Sequence, residues 1–209
     1  MRTKIHGLIF GLMLLTTPAI DAANKANKAN KAPEKQVIKI VHLSQEQEVP
    51  PALSNLDAFI QNKGQLGAEL AISDNNTTGQ FTGQAYELKK IVVPVGGDIA
   101  QAFKQIGDDV GLVVLNVAAA QVNSLADQAA AQHKLLLDAS SSDDELRGAN
   151  CRHHVLHLLP SRAMRADALA QYMLKKRWQN WFLVVGPTHE DQLFAAAIKR
   201  AAKRFGMKI

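Results

Sequence analysis

Short runs of β-branched and aliphatic residues alternate along this chain with segments whose apolar positions recur every three or four residues. Val37-Ile38-Lys39-Ile40-Val41-His42-Leu43 is the first run and predicts a strand. Leu53, Leu56, Phe59 and Ile60 have helical spacing. Residues 66–76 fit two templates: Ala68, Leu70 and Ile72 alternate as in a strand, whereas Leu66, Leu70 and Ala71 fit a helix. Asn75-Asn76-Thr77-Thr78-Gly79 carries turn residues and predicts an end to whichever element precedes it. Tyr86 to Val95 predicts a second strand, closed by Gly96-Gly97. Asp98 is a good N-cap for a helix with Ile99, Ala102, Phe103 and Ile106 as apolar positions.

The alternation continues to the end of the chain. Leu112 to Val117 is nearly all apolar, as expected of a strand covered on both faces. Ala118, Val122, Leu125, Ala126 and Ala129 then share one side of a helix. Leu135-Leu136-Leu137 predicts a buried strand, Ser140 to Asp144 a loop, and His154 to Leu158 a short strand. Pro160 and Ser161 open a helix whose apolar positions are Met164, Leu169, Tyr172 and Met173. Trp181 to Val185 predicts a strand. Thr188 with Asp191 resembles a capping box, and Phe194, Ile198, Ala201 and Phe205 line the helix behind it, up to Gly206. Lys208-Ile209 reads as the start of another strand, so a fragment or a truncated product is expected. Strands alternating with helices imply parallel pairing through right-handed crossovers, hence a doubly wound α/β sheet.

The first residues do not join this pattern. Arg2, Lys4 and His6 precede an apolar stretch from Leu8 to Ile20, and Ile20-Asp21-Ala22 offers a small-residue exit. That is the pattern of a secretory signal peptide over residues 1–22, with a core shorter than the ~20 residues of a membrane span. A periplasmic location with no membrane insertion after cleavage is expected. Residues 23–35 hold a threefold Ala-Asn-Lys repeat without large apolar side chains and predict a flexible tether.

Composition narrows the class. Of 209 residues, 47% are hydrophobic and 21% charged, the balance of a globular protein. The single cysteine, Cys151, excludes an internal disulfide framework. The net charge of +5 is unevenly spread. Residues 36–151 hold seven basic and 14 acidic side chains, and residues 152–209 hold 11 basic and three acidic. Lys175-Lys176-Arg177-Trp178, with Lys199, Arg200, Lys203 and Arg204, has the composition of a nucleic-acid surface. The signal peptide argues against that partner, and two solvated helix faces account for the charge.

Candidate chemistry is sparse. Cys151, His153, His154 and His157 lie close together, but strand alternation turns His154 and His157 to opposite faces, and no adjacent carboxylate orients the rings. No metal or other cofactor is expected. Gly96-Gly97-Asp98 is too short for a dinucleotide fingerprint, and no nucleophile elbow or acid–base pair is visible, so a non-enzyme is expected.

From about residue 36 the chain resembles the type I periplasmic solute-binding proteins, extracytoplasmic receptors of branched-chain amino acid ABC transporters. Gly67-Ala68-Glu69-Leu70-Ala71-Ile72-Ser73-Asp74-Asn75-Asn76 looks like the family's first helix, which favours helix for the ambiguous segment. Leu159-Pro160-Ser161-Arg162 looks like the crossing into a second lobe, and Ala202-Lys203-Arg204-Phe205-Gly206 like a helix end inside it. Asp74 to Gly79, Leu146-Arg147-Gly148, Cys151-Arg152 and Asp167 to Tyr172 are similar to segments of a subgroup associated with pyrroloquinoline quinone-dependent alcohol oxidation.

The resemblance implies a first α/β lobe over residues 36–158 and an incomplete second lobe over 159–209, the latter the less stable. It implies a small polar solute, amino-acid-like or an organic acid, delivered to a membrane ABC permease. The family holds its ligand on loops behind the strands. In this chain those positions are Asn116 and Ala118, Ser140 and Ser141, and, from the facing lobe, Thr188 and His189. Such loops also favour Ser, Thr and Asn as ordinary caps. A ligand-independent accessory protein of the alcohol-oxidation system, or a non-functional truncated receptor, is the alternative.

Overall fold

The computed structural model describes residues 35–48, 60, 62 and 64–209. The signal and repeat segments, and the helix expected around Leu53, Leu56 and Phe59, lie outside the described residues. Five strands form one parallel sheet: β1 (Gln36–Gln45), β2 (Gln84–Val93), β3 (Leu112–Asn116), β4 (Leu135–Asp138) and β5 (Val155–His157). The spatial order is β2-β1-β3-β4-β5. The helices are α1 (Gln65–Thr82), α2 (Ile99–Lys104), α3 (Ala119–Ala131), α4 (Arg162–Lys175) and α5 (His189–Phe205).

Strand alternation divides the sheet into two chemically different faces. Val41 and Leu43 of β1, Val113 and Leu115 of β3 and Leu136 of β4 are fully buried in one cluster with Phe103 of α2 and Leu125, Ala126 and Ala129 of α3. The opposite face of β1 carries His42 and Ser44, paired in register with Val114 and Asn116 of β3. The start of α1 approaches this second face. A Cβ on Gly64 would lie 3.1 Å from Asn116 Nδ2 and 3.6 Å from His42 Nε2. Gly64 also has φ of 90°, which a side chain would strain.

Helix α1 corrects the expected turn at Asn75–Gly79, because the whole stretch is helical. Its turn-forming side chains are occupied elsewhere. The Asn76 carboxamide accepts from Tyr86 N at 2.7 Å and donates to Tyr86 O at 2.9 Å, which fastens the helix to β2. Asn75 and Thr77 bond back to the carbonyls of Ala71 and Ser73. Gly79 lets the helix backbone close on the carbonyl of Gln84. Gly83, in the left-handed region, ends the helix four residues later than the sequence suggests.

A second cluster is built from α4 and α5. Its buried residues are Ala166 and Ala170 of α4 and Ala197 and Ala201 of α5, with Trp181, Ile198 and Phe205 packed against them. Small side chains allow close approach of the helices, and Asp167 ties them by bonds to Arg200 and Arg204 at 2.7 and 2.8 Å. This corrects the expected apolar face of α4: Met164 and Tyr172 are more than half exposed, and the alanines form the contact. The strand expected at Trp181–Val185 is not formed as a paired strand. Among the described residues it has only a parallel bridge between Asn180 and Lys208.

At the amino edge of the sheet, Lys134 is buried and donates to the carbonyls of Gly107 and Val110 at 2.8 and 2.9 Å. It closes the loop after α2 against the start of β4. No helix among the described residues is long and apolar enough to cross a membrane.

Candidate functional site

In an open parallel sheet of this order, the connections leave in opposite directions on either side of the β1/β3 boundary, and a crevice opens beyond the carboxyl ends of those strands. Gln45 ends β1 there. Its carboxamide donates to Gly97 O at 2.9 Å and accepts from Gln121 Nε2 in the first turn of α3. Gln121 in turn accepts from Ala118 N at 3.1 Å. The N-cap position of α3 is Ala118, which has no side chain to cap the N–H groups of the first turn, and Gln121 takes only the N–H of Ala118 itself. Backbone N–H groups at such an end favour anionic groups.

The loop after β4 is held by a buried carboxylate. Asp138 is fully buried and accepts from Ser141 N at 2.9 Å and Ser140 N at 3.3 Å through Oδ1. Its Oδ2 lies 2.9 Å from His157 Nδ1, and His157 Nε2 lies 3.1 Å from Leu146 O. Both ring nitrogens therefore face acceptors. One carboxylate joins the ends of β4 and β5 and shapes the turn between Asp138 and Ser141.

Ser140 links this loop to the one after β3. Its hydroxyl donates to Val117 O at 2.7 Å and accepts from Val117 N at 3.0 Å. Asn116, Ala118, Ser140 and Ser141 are thus brought together at one sheet edge. Their polar groups are partly committed, however. The Ser140 hydroxyl bonds to Val117, Ser141 is buried and its Oγ accepts from Asp143 N at 3.2 Å, and Asn116 lies against the start of α1. What these loops offer a ligand is mainly their backbone.

Thr188 and His189 occupy the start of α5. Thr188 Oγ1 accepts from Asp191 N at 3.2 Å and donates to Asp191 Oδ2 at 2.6 Å, closing the capping box. His189 lines a cavity of about 470 Å³ with Asp143, Asp144, Glu145, Arg162 and Arg200. Arg162 connects this cavity to the β4 loop. Its backbone N–H donates to Ser142 O at 2.8 Å, and its guanidinium bonds Asp143 and Glu190. Burial opposes its charge, but the Glu190 and Asp143 carboxylates outweigh that and hold it above the ordinary arginine value.

Sequence reasoning did not single out Asp138, Gln45, Gln121 or the buried role of Arg162. Asp138 carried one signal, an acid directly ending a run of three leucines at a strand terminus. The histidines considered for metal have other partners. His154 Nε2 lies 2.6 Å from Ala126 O, and His157 holds Asp138. Among the described residues no group of three or more His, Cys, Asp or Glu is arranged to hold a metal ion.

On the α1 face of the sheet, His42 Nδ1 and Ser44 Oγ are buried without hydrogen-bond partners among the described residues. Burial, assisted by the charge of Lys90, pushes the His42 imidazole below its ordinary value. The unfolded chain, with a histidine near 6.5, takes up this proton first as pH falls. Stability contributed by the neutral ring is therefore present above about pH 6.5 and is lost on acidification below it. Urea unfolding at pH 7.5 and pH 5 should show a smaller loss in His42→Gln than in the parent. Identical pH dependence would remove His42 from the account.

No protein-family model matches the chain, and no curated protein matches it. Solved structures do. An ABC transporter substrate-binding protein from Desulfitobacterium hafniense is 20% identical, with a TM-score of 0.62, over 83% of this chain and 49% of its own. A branched-chain amino acid ABC transporter periplasmic ligand-binding protein from Burkholderia xenovorans is 17% identical, with a TM-score of 0.63, over 82% and 45%. A leucine-, isoleucine-, valine-, threonine- and alanine-binding protein from Brucella ovis is 19% identical, with a TM-score of 0.61, over 83% and 46%. At these identities the likeness is one of fold: the chain has the α/β fold of a type I periplasmic binding protein lobe and spans about half the length of the structures it matches.

Proposed function

We propose that this chain is the solute-holding part of an extracytoplasmic receptor for an ABC transporter, with no catalytic activity of its own. The observation that carries the reading is the pair of loops behind β3 and β4, joined by Ser140 and shaped by Asp138, beside the start of α3, where the N-cap residue Ala118 offers no capping side chain. Backbone donors at that edge suit the carboxylate of an amino-acid-like or organic-acid solute. Asn116, Ala118, Ser140 and Ser141 would line one wall, on a lobe of residues 36–158. Thr188 and His189 would contribute from residues 159–209, on the far side of the Arg162 contact. The bound solute would pass to a membrane permease, and the leader at residues 1–22 fits a periplasmic location. On the similarity of segments such as Asp74 to Gly79, the chain would fall in the subgroup associated with quinone-dependent alcohol oxidation.

The commitment of the Ser140 and Ser141 hydroxyl oxygens to the chain's own backbone favours a second reading, an accessory protein that acts without a solute. Thermal melting with branched-chain amino acids and small organic acids separates the two. A receptor gains about 2.7 kcal/mol at a hundredfold excess over Kd. Ser140→Ala should shrink that gain, because the two loops then lose their joint. A melting temperature unmoved by every compound in the panel would sink the receptor reading.

A further inference from the structure

The apolar cluster around the sheet and the one between α4 and α5 share no buried residue. Polar groups of the loop after β4 connect them. Ser142 O accepts from Arg162 N at 2.8 Å, and Asp144 Oδ1 accepts from Ala163 N at 2.9 Å. Both bonds lie at one place, the first turn of α4. A helix pair held at a single place can swing about it, so its angle to the sheet needs a second attachment.

We propose that Arg162 is a positioning residue that fixes the spacing between the loop after β4 and the start of α5. Its side chain is 8% exposed and ends between two carboxylates from different parts of the chain. Nη1 donates to Asp143 Oδ2 at 3.0 Å, in the loop after β4. Nε donates to Glu190 Oε2 at 3.1 Å, and Nη2 bonds the same carboxylate, in the first turn of α5. The planar guanidinium presents its donors at fixed angles, so the two carboxylates cannot move independently. A buried cation also resists leaving either partner, because an uncompensated charge there is costly.

The consequence for binding rests on the receptor reading. Asp143 stands two residues after Ser141, and Glu190 directly follows His189. The guanidinium therefore bridges the backbone segments that carry the two proposed walls. Without it, Ser140, Ser141, Thr188 and His189 keep their own local bonds, but the walls sample separations at which no solute is held by both. Apparent affinity then falls by the fraction of molecules that stand at the binding distance.

Spin labels on Ser124→Cys of α3 and Lys199→Cys of α5, in a Cys151→Ser background, read the spacing by double electron–electron resonance. The full chain should give one narrow distance distribution. Arg162→Met, which keeps the length of the side chain, should broaden it, and so should Glu190→Gln to a smaller degree. Arg162→Lys should restore only part of the narrow distribution, since one ammonium cannot hold both carboxylates in a fixed geometry. Arg204→Ala, which removes one bond between α4 and α5 and leaves the contacts of Arg162 intact, should change nothing. For whichever amino acid or organic acid raises the melting temperature of the parent, Arg162→Met should weaken binding about tenfold, mainly through faster release, within the usual range of coupling between sites. An unchanged distribution in Arg162→Met overturns the proposal, whatever the solute result. Equal broadening in Arg204→Ala, which would place the effect in the packing of α4 on α5, also overturns it. If no compound binds the parent, the receptor reading falls, and the distances alone decide the role of Arg162.

Discussion

Asp138→Ala is expected to destabilise the protein by roughly 3–5 kcal/mol, the usual cost of removing one partner from a buried charged network. The carboxylate is fully buried and serves three partners at once, the N–H groups of Ser140 and Ser141 and the ring of His157. Alanine leaves those partners facing an empty space that water does not readily reach. Asp138→Asn should cost much less. Its oxygen can still accept from Ser141 N, and its NH₂ can donate to His157 Nδ1 while Nε2–H keeps the Leu146 carbonyl. Urea unfolding at neutral pH reads the difference. Equal losses in the two variants would show that charge, and not hydrogen bonding, holds the loop. The same network shapes the wall of the proposed solute site, so Asp138→Ala should also weaken binding. Asp138→Asn should retain much of it.

Two glycines of α1 should respond with opposite signs. A Cβ at Gly79 would lie 2.4 Å from the carbonyl oxygen of Gln84, a backbone atom at the start of β2 that cannot swing aside. Gly79→Ala should therefore cost roughly 2–3 kcal/mol, as overpacking does in well-filled regions. At Gly67 an added Cβ meets nothing within 4 Å. Gly67→Ala should stabilise by about 0.5–1 kcal/mol through helix propensity and reduced freedom of the unfolded chain. Denaturation midpoints of the two variants decide this. A gain at Gly79 would mean that α1 sits farther from β2 than the hydrogen bonds of Asn76 imply.

The misreading at Gly79 shows where local chemistry stops being informative. Asn, Thr and Gly favour turns because their side chains or backbone compete with helical bonds. At Asn76 that competition is resolved by β2, whose Tyr86 backbone takes both ends of the carboxamide. At Gly79 it is resolved by the closeness of the same strand. Neither partner is near in sequence terms to a local rule, so the five-residue segment reads as a turn by itself. The candidate site follows the same logic. Asn116, Ser140 and Ser141 are visible because polar residues stand directly behind apolar strand runs. That the Ser140 hydroxyl would bond both the N–H and the C=O of Val117 is invisible, since it depends on β3 and β4 lying side by side.

The sequence by itself determined the alternation of strands and helices, the parallel sheet that follows from it, and the caps at Asp98, Ser161 and Thr188, all confirmed by side-chain bonds to the first turn. These are short-range matters, settled by side-chain spacing and by donors within a few residues. Only the tertiary structure decided which loops meet, which polar groups are consumed, and which apolar residues stay in solvent. The expected large apolar face of α4 gave way to alanines because α5 packs close against it. Trp181–Val185 has the composition of a buried strand, yet a strand is stabilised by neighbours that composition does not supply. The backbone groups of Phe182 to Val185 and the side chains of Phe182 and Val184 find no partner among the described residues, and periodicity within one segment carries no information about that.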